Sequence, residues 1–287
     1  MKSLLEYLRD ADEKKTAIGH FNISDLAALN AIFESAKKLN LPVIIGLSQG
    51  EREFIGVSQV AALISSLRHE HNFPIFLNAD HTHSIEKVKE AAIADFDQII
   101  FDGSGLSVDE NIKQTKEAVE IAKSINPNVL MEGEIGFIGI SSEIIDKAPE
   151  NLELSSPDDA KKFVKETGVD ILAPAVGNMH GLLKTMLTGE VQKRLNIPLI
   201  KEIKLATGGT FMTLHGGSGT NDGDLVEAIK SGMTIVHVNT ELRVAWRKGV
   251  EQGLRDNPDE VAPYKILPYA VNNIKEVVEK RLNLFNS

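Results

Sequence analysis

Eight short apolar runs, each ending in polar or glycine residues, alternate with stretches of helical period along the 287 residues of this chain. The runs cover 16–22, 42–48, 74–80, 98–104, 128–136, 170–177, 210–217 and 234–240, and read as strands bounded by turns. Between them, apolar residues recur at helical spacing over 24–39, 57–70, 84–94, 107–124, 157–167 and 222–231. Local signals agree: "SPDDAKKFVKETG" offers Ser156 as an N-cap, Pro157 at the first helical position and Gly168 as a stop. "IPLIKEIKLATGG" also reads as a helix, from Pro198 at its start, the Ile200–Lys204 spacing and Gly208 at its end. A strand followed by a helix, repeated eight times, predicts an α/β chain closed into a (β/α)8 TIM barrel. An open doubly wound sheet fits less well, because no glycine-rich dinucleotide fingerprint follows the first strand. No linker interrupts the rhythm, so 1–287 is expected to be one barrel domain, with a last helix, "NNIKEVVEKRLNLF", packed outside it.

Composition removes several classes of partner. A formal charge of −10 gives no basic face for a nucleic-acid footprint, although a small anion pocket remains compatible with it. With no cysteine, disulfides and thiolate metal ligands are impossible. The start, "MKSLLEYLRDADEKK", is too charged for a signal-peptide core, and no run approaches a membrane span. The expected setting is cytoplasmic, with neither nucleic acid nor membrane as partner.

In a barrel of this kind the active site lies at the C-terminal ends of the strands. There the chain puts Asp80 and His81 after the third strand, Asp102 and Ser104 after the fourth, and Glu132 and Glu134 on the fifth. The sixth leads into "GNMHG" with His180, the seventh ends in His215, and the eighth carries His237 and Asn239. Other histidines have plainer readings: His20 as a packed wall residue of the first strand, His69 and His71 at a helix end, and His83 at the start of the next helix. His81, His180 and His215 fall at three strand ends that converge on one mouth. Three imidazoles on a tetrahedral Zn²⁺ leave one position open for substrate, and Asp80 beside a ligand is placed as an acid or base. In "LHGGSGTND", Gly216, Gly217 and Gly219 let backbone N–H groups approach an anion, in the region where barrels often bind phosphate. Together these features point to a metal-polarised, phosphorylated substrate.

The chain resembles the class II, metal-dependent fructose-bisphosphate/tagatose-bisphosphate aldolase family. The resemblance rests on "GHFNISDLAALNAIFESAKKLNLPVIIGLSQGE", "NADHTHSIEKVKEAAIADFDQIIFDGS", "MEGEIGFIG", "SPDDAKKFVKETGVDILAPAVGNMHGLLK", "LHGGSG" and "VNTELRVAW", in family order over nearly the whole length. It implies reversible cleavage of fructose 1,6-bisphosphate to dihydroxyacetone phosphate and glyceraldehyde 3-phosphate through a zinc-stabilised enediolate. It implies Asp80 as the acid/base and His81, His180 and His215 as zinc ligands, with Glu134 near the metal. Gly181, Gly216 and Ser218 then bind the dihydroxyacetone phosphate half, and Asn22, Ser48, Asn239 and Thr240 are further substrate positions. In the loop "IGISSEIIDKAPENLEL", Glu143 is the candidate base. One Zn²⁺ per subunit is implied, a monovalent cation is admitted beside it, and the assembly expected is a homodimer or homotetramer.

Two positions depart from the family. His237 stands where the strand-8 pattern has Asn, and "APYK" puts Tyr264 where an Arg usually reaches the second phosphate, with Lys265 next to it as the candidate substitute. They leave tagatose bisphosphate or another phosphorylated ketose open as substrate, and also a metal-binding barrel without catalysis. His81 and His83 imitate the His-x-His of amidohydrolases, but that pair belongs after a first strand. A Schiff-base aldolase would need a lysine on a barrel strand, which only a misread Lys201 would supply.

Overall fold

The computed structural model describes residues 2–139, 142–149 and 152–287. Eight parallel strands close into a barrel: β1 (Ile18–Asn22), β2 (Val43–Leu47), β3 (Ile75–Thr82), β4 (Gln98–Phe101), β5 (Leu130–Ile135), β6 (Ile171–Pro174), β7 (Phe211–Leu214) and β8 (Met233–Val238). Each pairs with its neighbour in sequence, and β1 closes on β8 with His20 opposite His237. Helices Leu26–Leu39, Val57–His71, Ile85–Ile93, Val108–Ile125, Pro157–Thr167, Ile197–Ala206 and Asp222–Lys230 lie between them, within two residues of the helical stretches read from the sequence. Because Ile197–Ala206 is a helix, Lys201 is outside the barrel wall and exposed. Four helices escaped the periodicity: Leu4–Lys14, the short Gln49–Ile55, Thr240–Asp256 and the one-turn Pro263–Ile266. The last helix starts at Pro268, four residues before the stretch read as helix, and packs on Leu26–Leu39 and Thr240–Asp256. No described helix is long and apolar enough to cross a membrane.

The barrel interior is layered, because alternate strand residues face one side. At its base Ile18, Ile44, Phe76, Leu130, Ile171 and Ile235 form one apolar cluster, which Leu4, Leu8 and Ala11 of the first helix plug. Two residues further along, the layer turns polar. His20 meets the Asn78 amide at 2.9 Å and stacks on His237 at 3.4 Å between ring centroids, and Glu132 accepts from Gln98 and from Thr213. Gly46 on β2 leaves the room that the His20 ring fills, since a Cβ there would lie 2.0 Å from it. Two residues further again come Asn22, Asp80, Glu134, His215 and Asn239, at the mouth. A two-residue parallel ladder, Ile144–Ile145 with Leu182–Leu183, lies outside the barrel sheet.

Candidate active site

Asp80 and His81 are neighbours in one strand, and regular pleating would send them to opposite faces. Here the register between β3 and β4 jumps between Ala79 and Thr82, and His81 takes φ +42°, a left-handed conformation uncommon outside glycine. Both side chains thereby reach the mouth: His81 Nε2 lies 3.7 Å from Asp80 Oδ1. The guanidinium of Arg52 fixes this turn from below, donating to the carbonyls of Leu47 and Asp80 and to Thr82 Oγ1.

His180 arrives on the loop after β6, where its N–H donates to the Ile138 carbonyl. Asn178 ties that loop to the next one by donating to the His215 carbonyl at 3.0 Å. The two loops meet so closely that only glycine fits at 216: a Cβ would lie 2.2 Å from the Met179 carbonyl oxygen, and φ is +65°.

His81, Glu134, His180 and His215 each turn one ligating atom toward a common point, with all four atoms within 4.8 Å of one another. His81 Nε2 and His215 Nδ1 are 3.2 Å apart. Two nitrogens sharing one tetrahedral zinc at about 2.0–2.1 Å would be separated by roughly 3.3 Å. The far nitrogen of each ring is held by a carboxylate, His81 Nδ1 by Asp102 at 2.8 Å and His215 Nε2 by Glu132 at 2.7 Å. That arrangement orients metal-bound histidines. His180 Nε2 and Glu134 Oε2 are buried with no hydrogen-bond partner. The donor set therefore fits a divalent ion of zinc type.

The electrostatics agree. Burial opposes a charge on His81, yet Asp80, Asp102 and Glu134 outweigh it and push its pKa up to about 10. Burial, reinforced by Asp102, pushes Glu134 up to about 8. A cation seated among them displaces protons from such ligands. His180 is the reverse: burial, with His81 and His215 nearby, keeps it neutral and well below the ordinary range.

The model of the class II fructose-bisphosphate aldolases matches residues 2–287. The chain belongs to that family. It is 34% identical over 288 residues to a fructose-bisphosphate aldolase of Staphylococcus aureus, covering 99% of this chain and 97% of that one. A probable fructose-bisphosphate aldolase of Bacillus subtilis is 33% identical with the same coverage. Among solved structures it is similar to the YdjI aldolase of Escherichia coli K12, with TM-score 0.80, 26% identity, and 100% and 97% of the two chains covered. The family is one of lyases that depend on a metal and act on phosphorylated sugars, and the barrel mouth is where its chemistry belongs.

In this aldolase, Asp80 is buried beside the metal cluster, its Oδ2 anchored by the Asn22 amide at 2.9 Å and its Oδ1 without a partner. Burial opposes its ionisation, but the neighbouring imidazoles, His81 foremost, and the Asn22 amide hold it well below the usual carboxylate range. Asn22 also donates to Glu51 at 3.0 Å, so both N–H groups of its amide go to carboxylates, and the residue lines the pocket. Glu51 in turn accepts from Ser48 backbone and hydroxyl, from Ser24 and from Arg243. Gly181, Gly216, Ser218, His237, Asn239 and Thr240 line the pocket with Asp80, His81 and His180, and Ser48 lines its flank near Asp102. Ser218 Oγ accepts from the N–H groups of Asn239 and Glu241, at the start of helix Thr240–Asp256. His237 presents Nδ1 at 3.6 Å from Asp80 Oδ1.

Other candidates lie elsewhere. Glu143 is exposed and outside the pocket lining, while its neighbour Ser142 is part of it; residues 140, 141, 150 and 151 of that loop lie outside the described residues. Tyr264 is 75% exposed on the short helix Pro263–Ile266, and Lys265 pairs with Glu260 at 2.8 Å instead of reaching the mouth. His83 is exposed, meets the Asp102 carbonyl at 3.2 Å, and lines the same flank as Ser48 rather than the pocket holding Gly216 and Ser218. His20, read as a packed wall residue, points into the barrel interior and stacks on His237 from the neighbouring strand. Sequence reasoning missed Arg52 and Lys193 altogether. Glu51 had a signal, since Ser48-x-x-Glu51 is a capping box, and the structure forms it.

Proposed function

We propose that this aldolase cleaves fructose 1,6-bisphosphate reversibly, with one Zn²⁺ per subunit held by His81, His180 and His215 and with Glu134 in reach of it. When bound, such an ion polarises a ketose carbonyl as a Lewis acid. The observation that carries the reading is Asp80 Oδ1, a buried carboxylate oxygen with no partner, beside the three facing imidazoles, of which His81 most favours its ionised form.

Aldol cleavage needs a proton taken from the hydroxyl beside the breaking bond, and a proton later delivered to carbon. Asp80 is oriented by Asn22 to take the first at Oδ1. Glu143, adjacent to Ser142 at the pocket rim, is proposed for the second. Gly181, Gly216 and Ser218, with Asn239 and Thr240 at a helix N-terminus, suit the phosphate of the dihydroxyacetone phosphate half. His237, which stands where the family pattern has Asn, is proposed to contact the carbon skeleton, and that departure keeps tagatose 1,6-bisphosphate as the second candidate substrate.

Hydrogen exchange separates the two carboxylates. With the zinc-loaded protein and dihydroxyacetone phosphate in D₂O, proton NMR should show one C3 hydrogen replaced by deuterium. Asp80→Asn should retain that exchange while losing cleavage, and Glu143→Gln should lose both. Exchange that survives in Glu143→Gln removes Glu143 from the mechanism, and absence of exchange in the unaltered protein removes the reading.

A further inference from the structure

Lys193 is a buried cation with no role in the mechanism above. It is 4% exposed, in the irregular segment between Leu183 and helix Ile197–Ala206, and it lines the pocket with Asp80, His180, Gly216 and Ser218. Its three N–H donors go to three main-chain carbonyls: Met179 at 2.7 Å, Gly216 at 3.0 Å and Ser218 at 2.6 Å. None of these acceptors is a carboxylate. Its backbone is strapped to the same loop, taking the Gly219 carbonyl at 2.9 Å and accepting from Asn221 at 3.1 Å.

Buried ammonium groups ordinarily find an ion-pair partner, and a cage of carbonyl oxygens is the environment of a monovalent metal cation. We propose that Lys193 is a tethered replacement for a dissociable monovalent cation, locking the loops that carry Gly181, Gly216 and Ser218 in the geometry that receives a substrate phosphate. This rests on reading that side of the pocket as the phosphate subsite. Three acceptors call on all three N–H groups of the charged form, because a neutral amine has only two donors for three carbonyls. Burial works against that charge and brings the Lys193 pKa down to about 7, so a phosphate dianion nearby reinforces the cage. Lys193 is thus a positioning residue, and the enzyme needs no potassium or sodium.

The test measures inorganic phosphate binding by calorimetry, and KM and kcat for fructose 1,6-bisphosphate, on the zinc-loaded protein with tetramethylammonium as the only monovalent cation and then with 0.1 M K⁺ or NH₄⁺ added. The unaltered protein should be indifferent to the cation. Lys193→Ala, which empties the cage, should lose phosphate affinity and raise KM by more than about tenfold, since an anion site loses its charge-assisted order. NH₄⁺ or K⁺ should restore most of that loss. Lys193→Met, whose side chain fills the cage, should not be rescued.

A tenfold gain by the unaltered protein on adding K⁺ would overturn the proposal, and that arm needs no variant to fold. So would a Lys193→Ala defect that no small cation relieves, or an unaltered protein that binds no phosphate. An unaltered protein that binds phosphate but cleaves no ketose bisphosphate would sink the substrate reading, while the phosphate titrations would still decide the role of Lys193.

Discussion

His81 Nε2 and His215 Nδ1 face each other at 3.2 Å, while Asp102 and Glu132 hold the opposite nitrogens of the two rings. Those outer bonds fix N–H on the far side of each ring, so two lone pairs confront one another unless a proton or a metal lies between them. Asp102→Asn and Glu132→Gln should therefore weaken zinc binding by about 10–100-fold each, read by competition with a chromophoric chelator. Unchanged affinity in both would mean that the imidazoles are oriented without their carboxylates.

The same proton sets the pH dependence. His81 titrates at about 10 in the metal-free pocket, against an ordinary value of 6.5, so at neutral pH zinc must displace its proton. Affinity should rise with pH between 6 and 9, by about tenfold per unit for each proton displaced. A flat profile would show that the ligands are already neutral.

Asp80→Asn should keep the metal and lower kcat by about 10²–10⁴-fold, the span of a lost acid/base. Asn22→Ala should cost less, up to about 10²-fold, because it frees Asp80 from its anchor without removing it. If Asn22→Ala raises KM alone, Asn22 serves as a substrate contact and not as the orienting group.

Much of this was readable in advance. Strand and helix order followed from periodicity, and the converging histidines from the fold rule about strand ends. A further signal lay in the alternation: Ile18-x-His20-x-Asn22, Phe76-x-Asn78-x-Asp80, Leu130-x-Glu132-x-Glu134, Phe211-x-Thr213-x-His215 and Ile235-x-His237-x-Asn239 each run from apolar to polar toward the mouth. Read together, they place His20 and Glu132 inside the barrel. Other features had no local signature. The first helix plugs the barrel base through contacts that no helical period reveals. Arg52 and Lys193 sit among charged neighbours in the sequence and are buried only because distant carbonyls converge on them. The reach of Asp80 and His81 to one side depends on a register shift and a left-handed residue, which hydrophobic pattern cannot express.

Arg52 is 2% exposed and holds that left-handed turn through the Asp80 carbonyl and Thr82. Arg52→Met would leave these acceptors unpaired next to a strained residue. It should destabilise the fold by about 2–5 kcal/mol in denaturant titrations and weaken zinc binding as His81 relaxes. Destabilisation with zinc affinity intact would separate the turn from the metal site.

The central claim is that the three facing imidazoles hold the metal on which aldol cleavage depends. The most direct measurement is a coupled assay of triose-phosphate release from fructose 1,6- and tagatose 1,6-bisphosphate, before and after EDTA and again after added Zn²⁺. The account predicts turnover of the fructose sugar that EDTA abolishes and zinc restores, with His81→Ala inert under all three conditions. Turnover that persists after the metal is stripped would contradict it, as would a zinc-loaded protein that releases triose phosphate from neither sugar.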